Sequence, residues 1–260
     1  MLYLVVGGKG FFPFSSAFFD NKSGFLLRGV LEIVSNKAWN GLPLVIYGTG
    51  GISVETALTV REINRLNPSP VFDFLGYAED DAQKAGLVFA GKGVVTSSDT
   101  LAEFAGGFPL LGVAIPQGFP RVKKAIFEKI KDLAPNLVFP NIIHPSATVN
   151  LENTRLGVGN VVAAGVRFTD YIQVGDFNLF NLNVVVGHDV SFGDFCAINP
   201  QASISGGTKV EDEVFVGASA TVLQHLTLFA KCTIGAGALV TRDVEPGVTV
   251  VALPLPKHFS

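Results

Sequence analysis

From residue 156 to residue 240 every sixth residue is apolar without a miss: Leu156, Val162, Phe168, Val174, Phe180, Val186, Phe192, Ile198, Ile204, Val210, Val216, Val222, Leu228, Ile234 and Val240. A helix repeats about every 3.6 residues and a strand every two, so neither produces this spacing. A hexapeptide repeat does, and it predicts a parallel β-helix. Three hexapeptides per coil would sort the positions into columns 18 residues apart, headed by Leu156, Val162 and Phe168. Each column then holds one phenylalanine, so no two large rings stack directly in a narrow core. Glycine follows the apolar position at 157, 175, 187, 193, 217 and 235, which suggests corners that require positive φ. The period is uninterrupted, so no long loop leaves the coils, and any chemistry must come from their surface.

Upstream the pattern changes. Pro43-Leu-Val-Ile-Tyr47 reads as a short buried strand, followed by a helix over about Val54–Leu66 that Asn67-Pro68 stops. Residues 71–81 and 109–116 read as further strands, with a helix N-cap at Ser98 or Asp99 and an amphipathic helix from Arg121 to Leu133. Alternating strands and helices predict a small parallel α/β sheet over residues 41–140. Pro135, Pro140 and Pro145 mark a linker, and residues 141–260 form the β-helix. Residues 1–40 are rich in glycine and phenylalanine and have no clear period; an added strand or hairpin is the expectation there.

Charge narrows the partners. Nineteen basic and 22 acidic residues give a net charge of −3 with no cationic run, which argues against a nucleic acid ligand. Mean hydropathy is positive at +0.42, yet no apolar run reaches the roughly 18 residues of a spanning helix. The opening residues do not read as a signal peptide, and the expected compartment is the cytoplasm. Cys196 and Cys232 lie 36 residues apart. Two coils at about 4.8 Å each separate them too far for a disulfide, so both are expected to be buried thiols.

The candidate chemistry is sparse. Gly48-Thr-Gly50-Gly51 closes the first strand of the sheet, where backbone N–H groups and a helix N-terminus can approach a phosphate. His188 lies off the core period and is followed by Asp189, a pairing that can make a general base with a fixed tautomer. A surface histidine on a turn is the plainer alternative. His225 falls on a corner 37 residues later. A catalytic zinc needs about three protein ligands, and no third histidine stands at suitable spacing, so no metal is expected.

Ile142-Ile-His-Pro-Ser-Ala-Thr-Val149, Gly187-His-Asp189, Ser205-Gly-Gly-Thr-Lys-Val210 and Ile234-Gly-Ala-Gly-Ala-Leu-Val-Thr-Arg-Asp-Val244, together with the strand–glycine loop–helix that precedes them, resemble bacterial sugar acetyltransferases of the sialic acid O-acetyltransferase and UDP-4-amino-sugar N-acetyltransferase type. The resemblance covers roughly residues 43–256. It implies a small Rossmann-like α/β domain that holds a sugar nucleotide, followed by a left-handed parallel β-helix that forms a homotrimer and takes acetyl-CoA between coils. It also implies residue roles: His188 as general base, Asp189 as its orienting partner, and Asn181 near the reacting amine or hydroxyl. Gly206 would bind the oxyanion, Ala218 and Ala236 would line the pantetheine groove, and Gly48, Gly50, Gly51, Glu79 and Asp80 would face the nucleotide. The chain departs from the family pattern at Ile52, Val54, the acidic turn Ala78-Glu-Asp-Asp81, Ala197 and the tail from Ala252 to Lys257.

Overall fold

The computed structural model describes residues 40–252 and two short segments before them, Tyr3–Leu4 (β1) and Phe12–Pro13 (β2), which pair antiparallel. The remainder of residues 1–39, and the tail from residue 253, lie outside the described residues. Backbone contacts divide the chain into two units. One comprises the described residues up to Gln117 with Ala125–Pro145; the other comprises Gly118–Lys124 with the coils from Ser146 onward.

The first unit is built on β3 (Leu42–Tyr47), whose near-continuous burial suits a strand covered on both faces. Helix α1 (Gly51–Leu66) follows and buries Ser53, Thr56, Ala57, Val60 and Ile63, a stripe at helical spacing. The chain continues through β4 (Phe72–Ala78), β5 (Val88–Phe89), β6 (Lys92–Thr96), α2 (Leu101–Ala105), β7 (Leu111–Ala114), α3 (Pro120–Ile130) and β8 (Leu137–Val138). The strand order is β5-β6-β4-β3-β7-β8, parallel throughout except for the β5–β6 hairpin. From β3 the sheet grows to β4 on one side and to β7 on the other. The carboxyl end of β3 is therefore a switch point, the usual ligand edge of such sheets.

Three details differ from the sequence reading. Helix α1 starts three residues earlier than expected, because Gly50 adopts an extended conformation and serves as N-cap. The cap of α2 is Thr100, since the Ser98 hydroxyl is drawn away to Asp80. The β5–β6 hairpin had no sequence prediction: its strands are too short to show alternation.

The second unit is a parallel β-helix whose two-residue strands, from Arg155–Leu156 to Leu239–Val240, each end on one of the sixfold apolar positions. Register confirms three hexapeptides per coil. Leu156 pairs with Val174, Val162 with Phe180 and Phe168 with Val186, and the same offset of 18 carries each face upward. We term these the first, second and third faces, and the corner that follows each takes the same ordinal as an edge. Phe168, Phe180 and Phe192 belong to different faces of successive coils. They meet edge to face, with centroids 4.8 and 4.9 Å apart. The rings therefore avoid stacking, as the columns require, but touch along a diagonal that fills the core.

Positive φ falls at the corners, but not on the glycines anticipated. Among the described residues, ten of the eleven non-glycine residues with positive φ lie three positions after an apolar site, Phe177, Asn183, Asp189 and His225 among them. A left-handed residue costs about 1–2 kcal/mol when it is not glycine. Here the conformation turns its N–H onto a carbonyl of the coil below, as in Phe177 to Val158 and Asp189 to Asp170. The glycines directly after the apolar site have ordinary φ and are required by proximity. A Cβ at Gly187 would stand 2.6 Å from the backbone nitrogen of Gly206, and one at Gly217 would stand 2.5 Å from that of Ala236.

The core column beside the first edge contains polar residues that the period did not reveal. Asn160 and Asn178 each donate a side-chain hydrogen bond to a glycine carbonyl, at 3.0 and 2.9 Å, and the thiol of Cys196 continues the series to the Glu211 carbonyl at 3.0 Å. Both cysteines are free and buried. Lys123 also ends there: its ammonium donates to the carbonyls of Phe177 (2.8 Å) and Cys196 (3.4 Å), and its side chain is fully enclosed.

Burial lowers the pKa of Lys123 to about 7, partly opposed by Cys196, whereas burial pushes the thiols of Cys196 and Cys232 up from 9.0 to about 12 and about 11. Between pH 7 and 9 the unfolded chain binds a proton on Lys123 that the folded coils exclude, so stability rises with pH by up to about 1.4 kcal/mol per unit. Above pH 9 the unfolded thiols ionise while the folded ones stay protonated, and stability falls. Urea midpoints of the coils should therefore peak near pH 9, the ordinary thiol value, and Lys123→Met should flatten the rising limb. A wild-type midpoint that does not change from pH 7 to 9 would contradict this.

Candidate active site

The three edges differ in what becomes of one backbone N–H per coil, that of the second residue after each apolar site. On the first edge an aspartate from the coil above accepts it: Val158 donates to Asp176, Asp176 to Asp194, and Asp194 to Asp212, at 2.7–2.9 Å. The carboxylates occupy the space above Gly157, Gly175 and Gly193. On the other two edges the ladder is missing. Among the described residues the N–H groups of Gly206, Ala218 and Ala236 donate to no acceptor. Gly187 and Gly217 keep two of them open, since a side chain there would collide with the nitrogen above. These are the three positions expected to meet acetyl-CoA, and each presents an unused donor.

The third edge carries the histidine. His188 Nδ1 lies 2.7 Å from Asp189 Oδ2, and both side chains are exposed. That contact assigns Nδ1 as the donor and leaves Nε2 with its lone pair toward solvent. The ring lies against Gly206 of the next coil: a Cβ at Gly206 would fall 2.9 Å from Cε1 and from Nε2. A basic nitrogen and an open backbone N–H therefore stand side by side, the pairing that acyl transfer needs for its nucleophile and its oxyanion.

Asn181 precedes this edge by one face. It is buried, and its Oδ1 accepts the Leu182 N–H at 2.8 Å. Its Nδ2 donates to nothing among the described residues. Asn181, Ala218 and Ala236 all lie on the second edge, while His188, Asp189 and Gly206 lie on the third. One face is six residues wide, so at about 3.3 Å per residue the edges stand up to roughly 20 Å apart. Within one chain the two sets are not brought together.

In the first unit the glycine loop and the acidic turn do meet. Gly48 has φ +86°, and Gly50 and Gly51 face open space, so the first turn of α1 presents unobstructed N–H groups with no side-chain cap. Thr49 Oγ1 donates to Glu79 at 2.6 Å, and Lys84 pairs with the same carboxylate at 3.0 Å. Asp80 accepts from the Tyr47 hydroxyl (2.6 Å), the backbone and hydroxyl of Ser98 (2.8 and 2.7 Å) and Lys129 (2.9 Å). Burial pushes the Asp80 pKa up, but these donors outweigh it and hold the carboxyl well below the ordinary range. Asp80 thus fixes the loop edge, and its partners Tyr47, Ser98 and Lys129 had escaped the sequence reading because 18 to 49 residues separate them from it. Gln117 reaches the same edge: its amide lies 2.8 Å from where a Gly48 Cβ would be.

Among the described residues no group of three metal-ligating side chains converges, and no helix is long and apolar enough to cross a membrane. No protein-family model matches the chain. The chain is 31% identical over 119 residues to GDP-perosamine N-acetyltransferase of Escherichia coli, covering 44% of this chain and 53% of that protein. The matched stretch spans from about a third to half the length of such curated relatives. A perosamine N-acetyltransferase from Caulobacter crescentus, in a histidine-to-asparagine form holding CoA and GDP-perosamine, superposes with a TM-score of 0.72 at 27% identity, covering 82% of this chain and 94% of that one. The acetyltransferase domain of PglB from Neisseria gonorrhoeae, in complex with acetyl coenzyme A, gives a TM-score of 0.71 at 26% identity over 82% and 98%. The resemblance to bacterial sugar acetyltransferases is thus found in sequence and in fold.

Proposed function

We propose that the protein transfers the acetyl group of acetyl-CoA to the amine of a nucleotide-linked amino sugar, in the synthesis of a surface glycan. The observation that carries this reading is the His188 imidazole, fixed by Asp189 and lying beside the open N–H of Gly206. His188 Nε2 removes a proton as the amine attacks the acetyl carbonyl. The Gly206 N–H receives the developing oxyanion, the C–S bond breaks, and CoA leaves with the electron pair on sulfur. Transfer is direct, since both thiols are buried. The neighbours that hold CoA with GDP-perosamine, or acetyl-CoA, support both substrates and favour an amine over a hydroxyl.

The coils are left-handed and trimerise, which sets the second edge of one copy against the third edge of another. Asn181, Ala218 and Ala236 then face His188 and Gly206 across a groove that takes pantetheine. The sheet over residues 41–140 is Rossmann-like, and its Gly48–Gly51 loop receives the nucleotide phosphates, with Glu79 and Asp80 beside it. The enzyme works in the cytoplasm, where acetyl-CoA is supplied.

Acetyl-CoA at a hundred times its Kd should stabilise the protein by about 2.7 kcal/mol. Mass spectrometry should find one acetyl group added to a GDP- or UDP-linked amino sugar. Absence of both effects across such a panel would overturn the reading.

A further inference from the structure

The reaction above leaves His225 without a role. It lies on the third edge, one coil above the Gly206–Gly207 pair, and its backbone N–H donates to the Gly206 carbonyl at 3.0 Å. Its ring rests against Gly207 through Nδ1, with Cε1 2.8 Å from where a Cβ would be, as the His188 ring rests against Gly206 from the coil below. Two imidazoles thus flank one glycine pair, and each glycine is what makes room for its ring. Both are exposed, and they differ in one respect: His188 is bound by Asp189, whereas His225 has no side-chain hydrogen bond among the described residues.

Resting on the proposed function, the order along this edge assigns a direction to the reaction. The acetyl oxygen lies at the Gly206 N–H and the attacking amine lies on the His188 side. In the proposed groove Ala218 and Ala236 stand one and two coils above the level of Gly206, so the pantetheine arm, and with it the sulfur, leaves the tetrahedral carbon up the edge, toward a ring one coil spacing of about 4.8 Å away. We propose that His225 is the proton donor to the departing sulfur of CoA. As the oxyanion reforms the carbonyl, the C–S bond breaks. The electron pair left on sulfur takes the proton of the His225 imidazolium, releasing the thiol. His225 is reprotonated from solvent, and His188 returns the amine's proton to solvent.

The test uses the full-length protein in single-turnover acetyl transfer, with acetyl-CoA and with the acetyl selenoester of selenocoenzyme A, whose more acidic selenol leaves without a proton. Because His225 has φ +59°, His225→Asn is the first variant and His225→Gly the second, both compatible with that backbone. The expected result is a rate lowered about a hundredfold with acetyl-CoA, little change with the selenoester, and an unchanged apparent affinity for either donor. Equal losses with both donors, a loss confined to affinity, or no loss would overturn the assignment. A His188→Ala control separates the two readings. If it keeps wild-type turnover, the site itself is misassigned; if it is inactive while His225→Asn is unaffected, only the role of His225 falls.

Discussion

Replacing His188 with alanine should lower acetyl transfer by about a hundred- to ten-thousandfold while leaving the fold intact. The ring is exposed and makes a single side-chain hydrogen bond, to Asp189. Exposed substitutions of this kind change stability by about 0.5 kcal/mol or less. The loss in rate should be large because the ring that lies against Gly206 is that of His188, whereas His225 rests against Gly207. Asp189→Asn, which preserves shape but no longer stabilises the imidazolium, should lose less than His188→Ala. The check is turnover with acetyl-CoA and an amino-sugar nucleotide, alongside circular dichroism of each variant. Wild-type-like turnover in His188→Ala would remove the assignment.

The second large effect concerns the scaffold. Phe180→Ala should destabilise the coils by about 3–5 kcal/mol. Phe180 is fully buried and occupies the middle of the diagonal, with Phe168 on one side and Phe192 on the other. Its removal opens a cavity and also deletes two edge-to-face contacts, each contributing about 0.5–1.5 kcal/mol beyond area burial. Two-residue strands locked in register at every coil have little freedom to close that space. Phe180→Leu retains much of the volume and should cost markedly less. Guanidinium unfolding followed by the sheet signal measures both; a loss below about 1 kcal/mol for Phe180→Ala would show that the rings do not hold the coils together.

Much of this architecture was legible because the repeat is strictly local. Leu156, Val162 and Phe168 recur with an offset that equals one coil, so pattern and register are the same fact. The glycine loop at 48–51 and the acidic turn were also readable, each from its place at the end of a strand. What could not be read depends on contacts without a period. Lys123 reaches the Phe177 and Cys196 carbonyls across 54 and 73 residues, and Asp80 collects Tyr47, Ser98 and Lys129 from three separate elements. The glycines that follow the apolar positions suggest positive φ from sequence alone, yet they are needed for clearance, while phenylalanine, asparagine and histidine take left-handed corners. A signal for the sealed edge was present all along in Gly175-Asp176 and Gly193-Asp194, repeated at 18 residues.

That sealed edge has a consequence for how such a scaffold is specialised. The ladder of Asp176, Asp194 and Asp212 closes each N–H it reaches, and closure and reactivity compete for the same hydrogen. A coil corner bearing aspartate has no backbone hydrogen to offer; a corner with glycine below and a bare N–H above is where the proposed reaction would dock a carbonyl. One residue per coil therefore decides which side of the coils has a backbone hydrogen available for the proposed chemistry, and the backbone need not move at all to change it.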